Sequence, residues 1–188
     1  MRGPYIARLR REVLAGAEGE ILEVGFGTGL NLDHYPEHVR HLTAVDPGIG
    51  MARIAQSRCE RSHIDVNLHV QTAESLPFED GCFGCVVSTW TLCSIRDGSR
   101  AVGEISRVLK IGGRFLILEH GLSEDTGVQR WQRRLTPLQR RLGDDCRLDV
   151  DIGVVVRTGS FREMRVERFV MERTPKLVGS MYRGVAVK

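Results

Sequence analysis

Lysine is scarce in this chain. Only Lys110, Lys176 and Lys188 occur among 188 residues, so arginine carries most of the positive charge. No Gly-Lys pair exists anywhere, which excludes the G-x-x-x-x-G-K-[ST] phosphate loop. No apolar run approaches the ~18 residues of a membrane span. The opening "MRGPYIARLRREVLAGAEGE" has no apolar h-region, so the expectation is a cytoplasmic protein without a secretory signal. Cysteine is also sparse and odd in number: Cys59, Cys82, Cys85, Cys93 and Cys146 do not make a disulfide scaffold. Cys82 and Cys85 form a C-x-x-C, but no second pair and no H-x-x-x-H accompany it. The pair therefore reads as small buried hydrophobes, and no metal site is expected. A net charge of +3 excludes an argument for nucleic acid from charge alone, and none is expected as a partner.

What is present is an ordinary globular composition, 41% apolar and 27% charged, at a length that suits one domain over 1–188. Short β-rich apolar runs alternate with helix-like segments. Residues 20–26, 41–46, 66–71, 82–89 and 113–120 read as strands covered on both faces. The runs 164–172 and 181–188 close the chain. The connection between them is too short for a helical crossover, so this last pair is expected to be antiparallel. Helices are expected over 4–17, 49–61 and 99–110, the third with Ser99 as N-cap and "IGG" as its stop. Another is expected over 126–143, where Pro137 should kink or divide it. Residues 148–160 are ambiguous, with "RTGSF" resembling a helix end that turns into a strand. Strands alternating with helices predict an α/β fold, its seven-stranded sheet mostly parallel with helices on both faces.

The stretch "EILEVGFGTGLNL" places Gly25, Gly27 and Gly29 directly after an apolar strand. A dinucleotide fingerprint, G-x-G-x-x-G, would need glycine where Leu30 stands. The observed spacing, E-x-G-x-G-x-G, suits a cofactor whose amino-acid end lies against the turn, because glycine permits positive φ and close backbone approach. Glu23 would receive an ammonium or hold the loop. A helix beginning near Gly29 would offer free N–H groups to a carboxylate. Asp46, 21 residues after Gly25 and ending the second strand, would take two ribose hydroxyls. An ordinary turn and a helix-capping aspartate are the plain alternatives. In register, the two features mark a nucleoside-binding first half.

At these residues the sequence resembles the class I S-adenosylmethionine-dependent methyltransferases. "LEVGFGTG" is similar to the family's first motif and "VDPG" to its second. "TAESLPFEDGCFGCVVSTW" and "EISRVLKIGGRFLILEHG" are similar to its fourth- and fifth-strand blocks. The resemblance implies a Rossmann-like sheet with an antiparallel C-terminal strand. It also implies S-adenosyl-L-methionine as cofactor, S-adenosyl-L-homocysteine as product, and a helical lid over 126–160 between strands five and six. It assigns Gly25, Phe26, Gly27, Thr28, Gly29 and Asn31 to the methionine end, with Glu23 beneath. Asp46 falls to the ribose, and Pro47, Met51, Ala73, Glu74 and Ser75 to the adenine. Ser88 and Thr89 would meet the methionine portion at the end of strand four. Phe26 departs from the small residue usual there, and Thr72 from the usual aspartate.

The acceptor side offers fewer signals. His120 follows strand five at the ligand-bearing edge, as a general base or as a hydrogen-bonded structural histidine. Trp90 and Cys93 would wall a pocket, or pack. Trp131, Leu135, Leu138 and Leu142 form one helical stripe on an arginine-rich helix. That stripe is expected to face the core, with Trp131 at the acceptor pocket and solvated arginines outside; contact of the basic face with anionic lipid is the second reading. "STWTLCSI", "FLILEHG", "GDDCRL" and "YRGVAVK" further resemble the membrane-anchored thiol S-methyltransferases and bacterial relatives labelled phospholipid or quinone methyltransferases. Thiol methylation is the favoured expectation. Phospholipid amine and quinone methylation, and a non-catalytic cofactor-binding module, are the alternatives. The apolar anchor of the membrane-bound members is not matched, and the oligomeric state stays open.

Overall fold

The computed structural model describes residues 3–143 and 145–188, with all their side chains except those of Met51 and Ala52. The chain runs α1 (Pro4–Leu14), β1 (Ile21–Val24), a 3-10 turn (Leu32–His34), β2 (His41–Val45), α2 (Ile49–Cys59) and β3 (Asp65–His69). It continues through β4 (Phe83–Thr89), α3 (Gly98–Val108), β5 (Leu109–His120), α4 (Thr126–Leu142), α5 (Ile152–Val156), β6 (Glu163–Val170) and β7 (Ser180–Val187). One seven-stranded sheet has the order β3-β2-β1-β4-β5-β7-β6. Strands β1 to β5 pair in parallel, and β7 lies antiparallel to both β5 and β6. The closing pair is therefore antiparallel, as expected.

Alternation along the strands divides the core into two layers. Leu22, Val24, Val86, Phe115 and Ile117 face α3 and α5 through Val102, Ile105, Val108, Ile152 and Val156. Ile21, Leu42, Ala44, Cys85, Val87 and Leu116 face the other side, where Leu14 and Ala55 cover them. Burial on both faces explains the apolar runs of β1, β4 and β5; β3, expected to be covered as well, is an edge strand with no buried residue. Cys85 is 1% exposed within this second layer, and burial pushes its thiol up to about 12, so that half of the C-x-x-C is structural packing.

Several local expectations are corrected. Asp97, not Ser99, caps α3 by accepting from the Arg100 N–H. The "IGG" stretch does not stop that helix. The backbone turns extended at Leu109 and enters β5 directly, while Lys188 Nζ donates to the carbonyls of Arg107 and Leu109. This places a cation at the negative end of the helix. Pro137 neither divides nor ends α4. It sits on the exposed face, where water can take up the carbonyl left without a donor. The ambiguous 148–160 segment contains the short α5, capped by Asp151. No helix is long and apolar enough to cross a membrane among the described residues.

The stripe of α4 is also reversed. Trp131, Leu138 and Leu142 are 57%, 56% and 78% exposed, while Gln132 and Thr136 are buried. Gln132 ties the helix down. Its amide oxygen accepts from the Ser123 N–H, and its nitrogen donates to the carbonyls of Gly121 and Leu177. Specific hydrogen bonds, not apolar burial, set the rotation of this helix.

Candidate active site

The site lies where β1, β2, β4 and β5 end at the carboxyl edge of the sheet. Gly25, Gly27 and Gly29 have φ of 75°, 55° and 72°, the left-handed region that glycine enters without penalty. They serve different purposes. A Cβ on Gly25 would lie 2.1 Å from Thr91 Oγ1, and one on Gly29 would press on Phe26 at 3.2 Å. A Cβ on Gly27 would meet nothing within 4 Å. Gly27 thus faces open space, as a ligand cradle requires. Phe26 lies under the turn, 3% exposed and packed with Leu32 and Tyr35. Its side chain therefore supports the loop, and only its backbone is left for a cofactor.

No α-helix begins at Gly29; a single 3-10 turn follows. The chain is drawn inward instead. Asn31 donates to Glu23 at 2.9 Å, Tyr35 OH donates to Glu23 at 2.7 Å, and Pro36 disfavours further helix. Glu23 therefore holds the loop through side chains. Its burial pushes the carboxyl up to about 7, against the bonds from Tyr35 and Asn31. Thr28 carries a carbonyl that accepts from Arg58 of α2.

Asp46 directly follows β2, with both oxygens engaged. Oδ2 accepts from the Gly27 N–H at 2.8 Å, and Oδ1 from the Gly48 N–H at 2.8 Å. It locks the glycine turn to the next loop while keeping lone pairs for hydroxyl donors. Pro47 is exposed beside it, and the Met51 side chain lies outside the described residues. Ala73 is buried. Glu74 accepts from the Asp97 N–H at 2.8 Å, so it supports the start of α3; Ser75 is exposed.

The Thr89 hydroxyl, expected at the methionine end, receives Asn31 at 3.1 Å and Arg10 at 3.1 Å. Ser88 points elsewhere. Fully buried, it donates to Glu119 at 2.6 Å, and the Thr91 N–H donates to the other oxygen of Glu119 at 2.8 Å. Burial pushes Glu119 up to about 7, against these bonds. Ser88, expected to meet the methionine portion, is thus committed to Glu119.

Arg10 of α1 is the residue that sequence reasoning missed. It is 5% exposed and donates to Asn31 Oδ1 and Thr89. Its guanidinium lies 4.5 Å from the centroid of the Trp90 ring. Among the described residues it has no ion-pair partner. Desolvation lowers its pKa, partly offset by Glu23 and Glu119. A buried guanidinium without a counter-ion is costly, and an anionic ligand group would relieve that cost. The sequence shows only that Arg10 shares a helix face with Ile6, Leu9 and Val13, which does not reveal its distant partners.

Trp90, expected to wall the acceptor pocket, has φ 53°, an unfavourable value for a bulky residue. His120 and Cys93 lie near each other, joined by Cys146 from the loop after α4. Cys146 Sγ is 3.6 Å from Cys93 Sγ and 4.0 Å from His120 Nδ1. The hydrogen bond shared with Cys93, followed by His120, holds the Cys146 thiol down near 5, while Cys93 is raised well above its ordinary value. Cys146 and Glu119 were not anticipated. Trp131 does not join this group: its exposed ring lies on α4 with Arg134 at 5.7 Å, because Gln132 turns the helix the other way. A depression of about 930 Å³ lies elsewhere, over β6 and β7; Glu12, Arg183 and Glu167 line it with ion pairs.

Residues 22–117 match the family described as "Methyltransferase domain". Thiol S-methyltransferase TMT1A of Homo sapiens is 32% identical over 180 residues, covering 93% of this chain and 73% of that protein. The crystal structure of YcgJ from Bacillus subtilis shares the fold, with TM-score 0.72 at 18% identity over 97% of this chain and 95% of that one. Phosphoethanolamine N-methyltransferase 2 of Haemonchus contortus, solved with S-adenosyl-L-methionine, gives TM-score 0.74 at 18% identity over 96% of this chain and 52% of that one. With the family matched across half the sequence and a relative aligned over most of it, the chain belongs to the class I S-adenosylmethionine-dependent methyltransferases and takes S-adenosylmethionine as its cofactor.

Proposed function

We propose that the protein methylates a small thiol. The observation that carries this reading is the kinship with human thiol S-methyltransferase TMT1A. It extends over 93% of the chain, well past residue 117, where the matched domain ends and the acceptor side is built. The sulfur- and imidazole-rich group at Cys93, His120 and Cys146 supports it.

S-adenosylmethionine supplies a methyl group already activated on a sulfonium, so the protein's task is alignment and exclusion of water. Holding both reactants in line can supply about 7–11 kcal/mol. We assign the methionine carboxylate to Arg10, the ribose hydroxyls to Asp46, and the close backbone approach to Gly27. The adenine side falls to the loops of Pro47 and Ala73. The acceptor then lies between Trp90 and His120. A thiol reacts as its thiolate. His120, as the proton acceptor expected from the sequence, is one route to that anion.

An alkyl thiol, phosphatidylethanolamine vesicles and a demethylated quinone, compared by S-adenosylhomocysteine release, test the assignment. Thiol turnover at least tenfold above the other two is the expected result. A preference for the lipid or quinone would replace it. Cofactor binding without turnover of any acceptor would favour the silent module. The exposed Trp131, Leu138 and Leu142 beside Arg130, Arg134 and Arg141 support a peripheral contact of α4 with anionic lipid. Co-sedimentation with phosphatidylglycerol vesicles, lost in Leu138→Ser/Leu142→Ser, is the check.

A further inference from the structure

Three side chains far apart in sequence converge at the acceptor edge. Cys93 lies on the loop after β4, His120 is the last residue of β5, and Cys146 lies beyond α4. The backbone builds this meeting. The Arg147 N–H donates to the Cys93 carbonyl at 2.9 Å, and the Cys146 N–H to the Gly143 carbonyl at 2.9 Å. His120 is fixed by its pairing with Met181 across β5 and β7. Cys93 is 2% and His120 4% exposed.

The donor atoms are spaced close to what a small tetrahedral ion needs. Zinc bonds of about 2.3 Å to sulfur and about 2.0–2.1 Å to nitrogen put ligand atoms roughly 3.5–3.8 Å apart. Here the two sulfurs are 3.6 Å apart, the Cys146 sulfur is 4.0 Å from Nδ1, and all three atoms lie within 4.8 Å of one another. Two thiols and an imidazole, with no carboxylate in the set, select a soft or borderline ion over magnesium or calcium. His120 Nε2 is buried with no partner among the described residues; with Nδ1 on the ion it would carry the ring's proton, a donor left for a further group. A disulfide would need the sulfurs near 2.05 Å and an oxidant to join them.

We propose that Cys93, Cys146 and Nδ1 of His120 hold a zinc-class divalent ion, whose fourth position takes the acceptor thiol as its thiolate. The fourth ligand rests on the thiol reading above; the ion does not. Three protein ligands with one open position are the pattern of catalytic rather than structural zinc. On binding, the acceptor's S–H proton passes to solvent, because the ion stabilises the sulfur anion. A sulfur lone pair then forms the new S–CH3 bond. The methyl–sulfonium bond breaks, and its electron pair stays on the cofactor sulfur, leaving S-adenosylhomocysteine. No electron is gained or lost by the ion. In this arrangement His120 is a ligand, and the imidazole is not required as a base.

The test begins with protein purified under reducing, chelator-free conditions. About one zinc per chain is expected by elemental analysis, falling to background in Cys93→Ser/Cys146→Ser and below half in Cys146→Ser alone. Both variants should retain the thermal shift with S-adenosylhomocysteine, which shows that the fold and cofactor site persist. Cobalt substituted for zinc should give a thiolate-to-metal absorption band that ethanethiol perturbs. Wild-type protein with neither zinc nor a cobalt band would overturn the proposal. So would a Cys93–Cys146 disulfide found by mass spectrometry in place of the ion. A cobalt band indifferent to ethanethiol would remove the fourth ligand. Thiol turnover unchanged after complete zinc removal would end the ion's role and leave the thiol reading intact. Full zinc loading without thiol turnover would sink that reading and its fourth ligand, with the ion site still standing.

Discussion

Three glycines with the same kind of φ are not interchangeable. Gly25 is glycine because Thr91 fills the space a Cβ needs, and Gly27 because that space must stay open. Gly27→Ala should therefore cost only about 1 kcal/mol of stability, yet weaken S-adenosylmethionine binding at least tenfold. Gly25→Ala should destabilise the fold itself by about 2–5 kcal/mol. Calorimetric melting beside titration of the cofactor separates the two; equal effects of both substitutions on melting would contradict the distinction. Arg10→Met should lower cofactor affinity about 10- to 100-fold, the scale of a charge-assisted hydrogen bond, with a smaller change in melting temperature because a buried, unpaired charge leaves with it. Unaltered affinity would remove Arg10 from the site. The glycines and Asp46 were legible because their spacing is local. Arg10 was not, because its meaning depends on Asn31 and Thr89 arriving from 21 and 79 residues away.

Helix α4 shows what an element can conceal. Its apolar stripe was readable at helical spacing, and the direction in which it faces was not. Periodicity identifies a helix and its two faces, but here three hydrogen bonds from Gln132 decide which face turns inward. Gln132→Leu should strand the buried Ser123 N–H and the carbonyls of Gly121 and Leu177. A loss of about 2–3 kcal/mol is expected, lowering the melting temperature by roughly 5–10 °C. Leu142→Ser on the exposed face should change stability by no more than about 0.5 kcal/mol. The opposite ranking in a thermal melt would restore the core-facing orientation. The missing helix after Gly29 has the same kind of cause. Asn31 and Tyr35 are committed to Glu23, and a bond between a loop and a buried strand residue leaves no periodic trace.

For the whole molecule, the sheet was legible almost completely, since strands buried on both faces must be continuously apolar and the short final connection forces an antiparallel return. What the sequence hid is that the carboxyl edge collects buried ionisable groups. Glu23 and Glu119 are both pushed up to about 7 by burial, beside the unpaired Arg10. This gives the cofactor a pH-linked affinity whose sign is fixed. In the free protein at pH 6 both carboxyls are mostly protonated, because their pKa values stand above the usual 4.5. A ligand bearing an ammonium and a sulfonium favours the ionised form. Binding at pH 6 must therefore expel protons, at a free-energy cost that disappears once pH exceeds about 7. S-adenosylmethionine should bind several-fold tighter at pH 8 than at pH 6. Its calorimetric heat at pH 6.5 should vary with the ionisation enthalpy of the buffer in the direction of proton release. S-adenosylhomocysteine lacks the sulfonium and should show a shallower dependence. Affinity that is flat across this range, or that falls with rising pH, would mean that neither carboxyl senses the bound cation. The acidic groups would then belong to the scaffold alone.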